Sequence, residues 1–386
     1  VWSGPIRVRR HAIVDCVFGA MSPRFHLWLA LSPHGFGHAA MTAPVITRLR
    51  QRCPRMRLTI QTTVDKTFLQ SRYGNFDHVA RIEDFGFRMI SATGIDLEAS
   101  ARDYCGLVGR YDQAVADNVQ LMAENRPDLV LSNVAFVPLA AAARLGIPSL
   151  AMSSLNWADM YRHYLGHRPE AGRVLETLTR AYEGAVAFLR CTPSQQMSLS
   201  NLRPIGPIAE IGTPRPQNLR QVFGPGDTRF GLVAFGGIDH DVSMEDWPSL
   251  PGWHWLTPQP PENGRPDMDH WTRAGMSFTD LVASVDVVVT KPGYGTFTEA
   301  AMVGTPVLFT ERPDWPESPH LDNWLKAHTR ALETSAASLL DGSLPDLLQR
   351  LFSLPAQQVA SPDGVDHAVD MVLRTLCDSR QINVCS

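Results

Sequence analysis

Two stretches of this 386-residue chain bring reactive side chains together with glycines. The first, "SPHGFGHAAM" (residues 32–41), carries His34, Gly35, Gly37 and His38. An imidazole with an unperturbed pKa of about 6.5 can take a proton from a hydroxyl at neutral pH. Glycines beside it allow a tight turn and a close approach of backbone to a ligand. The same residues also suit a plain strand-to-helix turn in which His38 caps the helix. The second stretch, "KPGYGTFTE" (291–299), holds Lys291, Gly293, Tyr294, Gly295, Thr296 and Glu299. Here the glycines permit a sharp turn, and a helix opening at Thr296 would offer unpaired N–H groups to a phosphate. Lys291 adds positive charge. Glu299, one turn into that helix, can turn its carboxylate toward sugar hydroxyls. A helix cap alone would account for the same glycines.

The elements that must position these loops alternate. "FHLWLAL" (25–31) has the length and apolarity of a buried strand, and "AAMTAPVITRLRQRC" (39–53) has helical spacing. "RMRLTIQTT" (55–63) and "FDHVARI" (76–82) read as strands, and residues 101–126 as one long helix. The strand "PDLVLSNV", the helix "AFVPLAAAARLG" and the strand "IPSLAMS" follow. Residues 190–228, rich in proline, glycine and polar side chains, suit an interdomain connection. The pattern then restarts with the strands "FGLVAFGG" (230–237) and "GWHWLT" (252–257) and a surface loop at 258–269. From 277 it runs helix, strand "VDVVVT", glycine loop, helix "TFTEAAMVG", strand "TPVLFT", acidic loop and helix. Such alternation predicts α/β domains with doubly wound parallel sheets and ligands at the carboxyl ends of the strands.

Composition narrows the classes. A chain of this length with 44% hydrophobic and 19% charged residues can bury two cores. A net charge of −4 gives no general attraction to nucleic acid or to an anionic membrane, though a local peripheral contact stays open. The six cysteines, Cys16, Cys53, Cys105, Cys191, Cys377 and Cys385, form no C-x-x-C pair, so neither a zinc site nor a disulfide framework is expected. No apolar run reaches the roughly 18 residues of a membrane span. The N-terminal "VWSGPIRVRRHAIVDCVFGA" imitates a signal peptide only until Asp15 interrupts it. Its "RVRR" reads as a solvated basic tail. The expectation is a cytoplasmic protein with an extension over 1–23, a first domain over 24–195, a linker over 196–228 and a second domain over 229–386.

In order along the chain, "HGFGHAA", "PDLVLSNVAFVPLAAAARLGIPSLAMS", "VAFGG" and "ASVDVVVTKPGYGTFTEAAMVGTPVLFTERPDWPESPHLDNWL" resemble motifs of the GT-B glycosyltransferases. The likeness is to the MurG-like and UDP-glycosyltransferase-like branch, and more narrowly to the glycosyltransferase-like domain fused to some sugar kinases. It covers most of residues 24–340. It implies two Rossmann-like domains facing across a cleft, and transfer of a sugar from a nucleotide-diphosphate sugar, UDP-linked in much of the branch, to an acceptor hydroxyl or amine. A hexosyl or N-acetylhexosaminyl transferase, inverting and without a bound metal or tightly held cofactor, is the implied type. An epimerase or hydrolase of nucleotide sugars, and a non-catalytic sugar-nucleotide-binding protein, are the alternatives.

By position in the motifs, Gly293, Tyr294, Gly295 and Thr296 would contact phosphates, with Gly236 and Gly237 on the other side and Glu299 at the ribose. Glu317, His320 and Asp322 in "ESPHLDN" would read the donor sugar. His38 would be the base, with Asp103 or Asp112 as candidate partner carboxylates, and His34, Gly35 and Gly37 would meet the acceptor. The chain departs from the kinase-associated pattern at Met41, where an arginine is usual, which puts a contact there in doubt. The aromatic residues of "WADMYRHYLGHRPE" (157–170) read mainly as packing.

Overall fold

A computed structural model describes residues 25–91, 94–224, 226–235, 242–262 and 264–382. The expected extension over 1–23, with its "RVRR", lies outside them, as do Cys16, Cys385, Gly236 and Gly237. The strands fall into two all-parallel sheets.

The first sheet has the order β3-β2-β1-β4-β5-β6-β7. Its strands are β1 (His26–Leu31), β2 (Arg57–Gln61), β3 (Asp77–Val79), β4 (Leu129–Asn133), β5 (Ser149–Ser153), β6 (Ala187–Cys191) and β7 (Leu202–Ile205). Every residue of β1, β4 and β5 is buried, as expected of parallel strands covered by helices on both faces. The helices are α1 (Gly37–Arg52), α2 (Lys66–Tyr73), α3 (Leu97–Gly109), α4 (Tyr111–Asn125), α5 (Val137–Arg144), α6 (Trp157–Leu165) and α7 (Ala171–Glu183). The long helix expected over 101–126 is two helices. Asp96 caps the first by accepting from Ala99 N at 2.8 Å, and the chain breaks at Arg110 after Gly106 and Gly109, whose missing side chains weaken the last turn. Residues 202–205, assigned by composition to the linker, are the edge strand of this sheet.

After α8 (Pro216–Phe223) the second sheet has the order β10-β9-β8-β11-β12-β13. It comprises β8 (Arg229–Ala234), β9 (Trp253–Thr257), β10 (Met268–His270), β11 (Val287–Thr290), β12 (Val307–Thr310) and β13 (Ala331–Thr334). Strand β10 corrects the end of the expected surface loop. Helices α9 (Phe278–Val282), α10 (Tyr294–Val303), α11 (Ser318–His328), α12 (Ala336–Leu340), α13 (Leu344–Ser353) and α14 (Asp363–Ile382) complete the domain. In both sheets the strand order reverses beside the first strand, between β1 and β4 and between β8 and β11. Doubly wound sheets open their ligand crevice at such a reversal. The two glycine loops follow β1 and β11.

Helix α14 returns to the first domain. Its Ala368, Val369, Val372, Leu373 and Leu376 are buried in one apolar cluster with Val45, Ile46 and Leu49 of α1. Arg48 and Arg52 of α1 pair with Asp366 and Asp370 at 2.8 and 2.7 Å. The start of α14 lies tight against the chain leaving β7: Gly364 N–H donates to Pro207 O at 3.1 Å, and a Cβ on Gly364 would lie 2.0 Å from Gly206 O.

Candidate active site

The loop after β1 turns at Gly35, whose φ of +80° favours glycine, and α1 starts at Gly37, two residues earlier than the spacing predicts. His38 therefore sits in the first turn of α1 and its side chain is buried. It reaches the end of the neighbouring strand β4, where Nδ1 donates to Asn133 Oδ1 at 2.6 Å. The amide orientation follows from its other contact, because Asn133 Nδ2 approaches Met41 Sδ at 3.3 Å and a thioether only accepts. Nδ1 of His38 then carries the proton and Nε2 the lone pair. Burial pulls the His38 pKa down to about 4, against a smaller opposing effect of Asn133, so the ring is neutral at pH 7.

The partner of His38 is thus an amide and not a carboxylate. Asp103 pairs with Arg88 and Asp112 with Arg144, so both expected candidates are engaged elsewhere. Asn133 was visible in "PDLVLSNV" only as a polar residue closing an apolar strand. Its role depends on β1 and β4 being neighbours, which register Leu31 beside Asn133. Met41, standing where relatives of the kinase-associated type usually have arginine, is buried and supports this amide.

His34 lies half-buried between aromatic rings. Trp157 meets it edge-on at 5.4 Å and Trp315 of the second domain stacks on it at 6.0 Å with planes 3° apart. Burial, with nearby His38, Arg312 and Lys291, lowers its pKa to about 3. Trp157 also faces His38 edge-on and directs its indole N–H to Asp84 at 3.3 Å. The aromatic stretch after β5 is packing, as its composition suggests, and it also walls the histidine pair. Asp84 itself is buried, and its carboxyl is pushed up to about 7 by that burial.

On the second domain, α10 opens at Tyr294, so Gly295 and Thr296 lie inside its first turn. Gly293 has φ −167°, an extended conformation open to any residue, and only Pro292 separates it from Lys291. A Cβ on Gly295 would lie 3.6 Å from Ala40 Cβ, so this glycine marks the place where α10 meets α1. The Tyr294 hydroxyl does not face a ligand: it donates to Thr192 O at 2.9 Å and accepts from Ile208 N–H at 3.0 Å. What this turn offers an anion is the N-terminal backbone of α10 and Lys291. The lysine's ammonium, desolvated and near Arg312, falls to a pKa of about 8. Glu299 is buried beside Arg72 and Glu210, and its carboxyl rises to about 8 chiefly by burial.

Of the three residues in "ESPHLDN", Glu317 reaches the cleft. It is buried, accepts from Trp315 Nε1 at 3.2 Å and faces Ser154 of the first domain. His320 is half-buried with its N–H on Glu317 O at 3.1 Å. Asp322 is buried with its Oδ1 unpaired among the described residues, near Glu333 and Lys326, and burial raises its pKa to about 7. Arg312 and Trp315 were not singled out from the sequence. Among the described residues no cluster of three or more His, Cys, Asp or Glu side chains could hold a metal ion, and no helix is long and apolar enough to cross a membrane.

Two parallel-sheet domains with a glycine loop from each meeting at one cleft define the GT-B glycosyltransferase fold. A glycosyltransferase of kitacinnamycin aligns with a TM-score of 0.61 and 17% identity, covering 92% of this chain and 100% of that one. Arabidopsis thaliana UGT89C1, solved with UDP, aligns at 0.52 and 14%, covering 92% and 100%. Acinetobacter baumannii MurG aligns at 0.53 and 15%, covering 91% and 100%. In sequence, the chain is 23% identical over 368 residues to an L-arabinokinase of Arabidopsis thaliana, covering 92% of this chain and 35% of that protein. The chain thus spans about a third of the length of that relative. No protein-family profile matches the sequence.

Proposed function

We propose that the chain transfers a sugar, of hexosyl or N-acetylhexosaminyl type, from a nucleotide-diphosphate sugar to an acceptor hydroxyl or amine with inversion at the anomeric carbon. The observation that carries this reading is the His38–Asn133 pair, which fixes the imidazole with its Nε2 lone pair unpaired among the described residues. In the proposed step Nε2 takes the acceptor proton as the acceptor atom forms its bond to the anomeric carbon. The bond from that carbon to the diphosphate oxygen breaks with its electron pair. Negative charge growing on the leaving diphosphate is met by the N–H groups opening α10 and by Lys291. Glu299 is assigned to the ribose hydroxyls and Glu317 to the sugar.

The test is thermal stabilisation by nucleoside diphosphates and nucleotide sugars, followed by a transfer assay over an acceptor panel. One nucleotide is expected to stabilise the native chain and His38→Ala but not Glu299→Ala, with transfer by His38→Ala reduced about 10²- to 10⁴-fold. Failure of every nucleotide to raise the melting temperature removes the donor site. Nucleotide release that needs no acceptor would favour the hydrolase or epimerase alternative.

A further inference from the structure

Arg312, two residues beyond β12, is 8% exposed, yet among the described residues its guanidinium makes no hydrogen bond or ion pair, and Glu317 and Tyr164 act on it only as nearby charges. Its Nε is fully buried and unpaired. The guanidinium carbon lies 3.8 Å from the centre of the Trp315 ring, whose indole stacks on His34 in turn. The Tyr164 hydroxyl, donated to Asp314 O, belongs to the same wall. Stacking of this kind holds the planar fork in one orientation and leaves its edge, with five N–H donors, unused. Glu317 is near enough to favour the charge on Arg312 but makes no ion pair with it, and spends one oxygen on Trp315. Lys291, the second cation here, has no hydrogen-bonded partner among the described residues either. Buried Arg312 and partly buried Lys291, facing one incompletely engaged carboxylate, leave a positive excess in the cleft.

We propose that Arg312 anchors a carboxylate subsite in the cleft, taking an acidic group on the transferred sugar or on the acceptor. The subsite rests on the sugar-transfer reading and narrows its substrate class to acidic sugars or acidic acceptors. A planar fork matches a carboxylate bidentately, and the first domain's His34 and Tyr164 stand beside it.

The test is calorimetric titration of the full chain with UDP, UDP-glucose and UDP-glucuronate and, with UDP saturating, with glucose and glucuronate. The acidic member of one pair is expected to bind about tenfold or more tightly than the neutral one, the gain of a charged hydrogen bond. Preference within the nucleotide pair places the carboxylate on the donor sugar, and preference within the free pair places it on the acceptor. Arg312→Gln should erase the preference. The native chain's own preference decides the matter should that variant fail to fold. No preference in either pair, a preference surviving Arg312→Gln, or loss of UDP itself by that variant would each overturn the subsite. Absence of preference with UDP bound fells the subsite alone, whereas absence of all nucleotide binding fells the sugar-transfer reading with it.

Discussion

At the residue scale, an amide where a carboxylate was expected has consequences for pH dependence. Asn133 holds the His38 ring but does not stabilise its protonated form as an anion would, so the pKa stays near 4 and the base survives into mild acid. The acid limb of a transfer-rate profile should therefore lie near pH 4. Asn133→Asp should move it up by at least one unit, because a neighbouring negative charge favours imidazolium; an unmoved limb would show that Asn133 does not set it. Glu299 gives the opposite linkage. Its folded form keeps a proton up to about pH 8, whereas the unfolded carboxyl releases one near the ordinary value of 4.5. The stability it contributes is whole below 4.5 and is lost as pH rises toward 8. His34 and His38, with folded values near 3 and 4, lose stability as pH falls below about 6.5. Between pH 6.5 and 8 the raised carboxyls of Asp84, Asp322 and Glu299 dominate, because the lowered value of Lys291 acts mainly above pH 8, so the melting temperature should fall across that window and fall less in Glu299→Gln. The histidines and Glu299 were legible as residue types at motif positions. Asn133 and Asp84 were not, because each meets its partner, His38 or Trp157, only across the fold.

At the element scale, the central strands were recoverable because buried parallel strands are written as continuous apolar runs, as "HLWLAL" and "VVVT" are. Boundaries failed where backbone, and not side-chain pattern, decides. Helix α1 starts on Gly37 and α10 on Tyr294, each two residues earlier than the side-chain spacing predicts, and β7 hides in a proline-rich stretch as a sheet edge, where proline is tolerated. Glycine also decides how α14 begins. A methyl group on Gly364 would fall 2.0 Å from the Gly206 carbonyl oxygen, so the contact can be relieved only by moving backbone. Gly364→Ala should destabilise the chain by about 1–3 kcal/mol, as overpacking does. Chemical denaturation with an unchanged midpoint would show that the helix start can slide.

For the whole molecule, two domains were legible from a grammar that restarts near residue 229, but their tie was not. The last helix carries Val369, Val372, Leu373 and Leu376 into the cluster that holds α1. Each such burial is worth about 1.5–3 kcal/mol, so together they rival the stability of a domain. A chain ending at Pro362 should lose cooperative unfolding of both domains, seen as a lowered and broadened calorimetric transition; a sharp transition at the native temperature would refute the tie. Trp315 adds a second tie at the cleft itself, since its indole is 4% exposed and packs in the apolar cluster of the first domain, although its chain belongs to the second. Parting the domains means drawing that indole into water. Any opening of the cleft would have to draw that indole out of the first domain's core, so opening would be an activated event with a steep response to temperature.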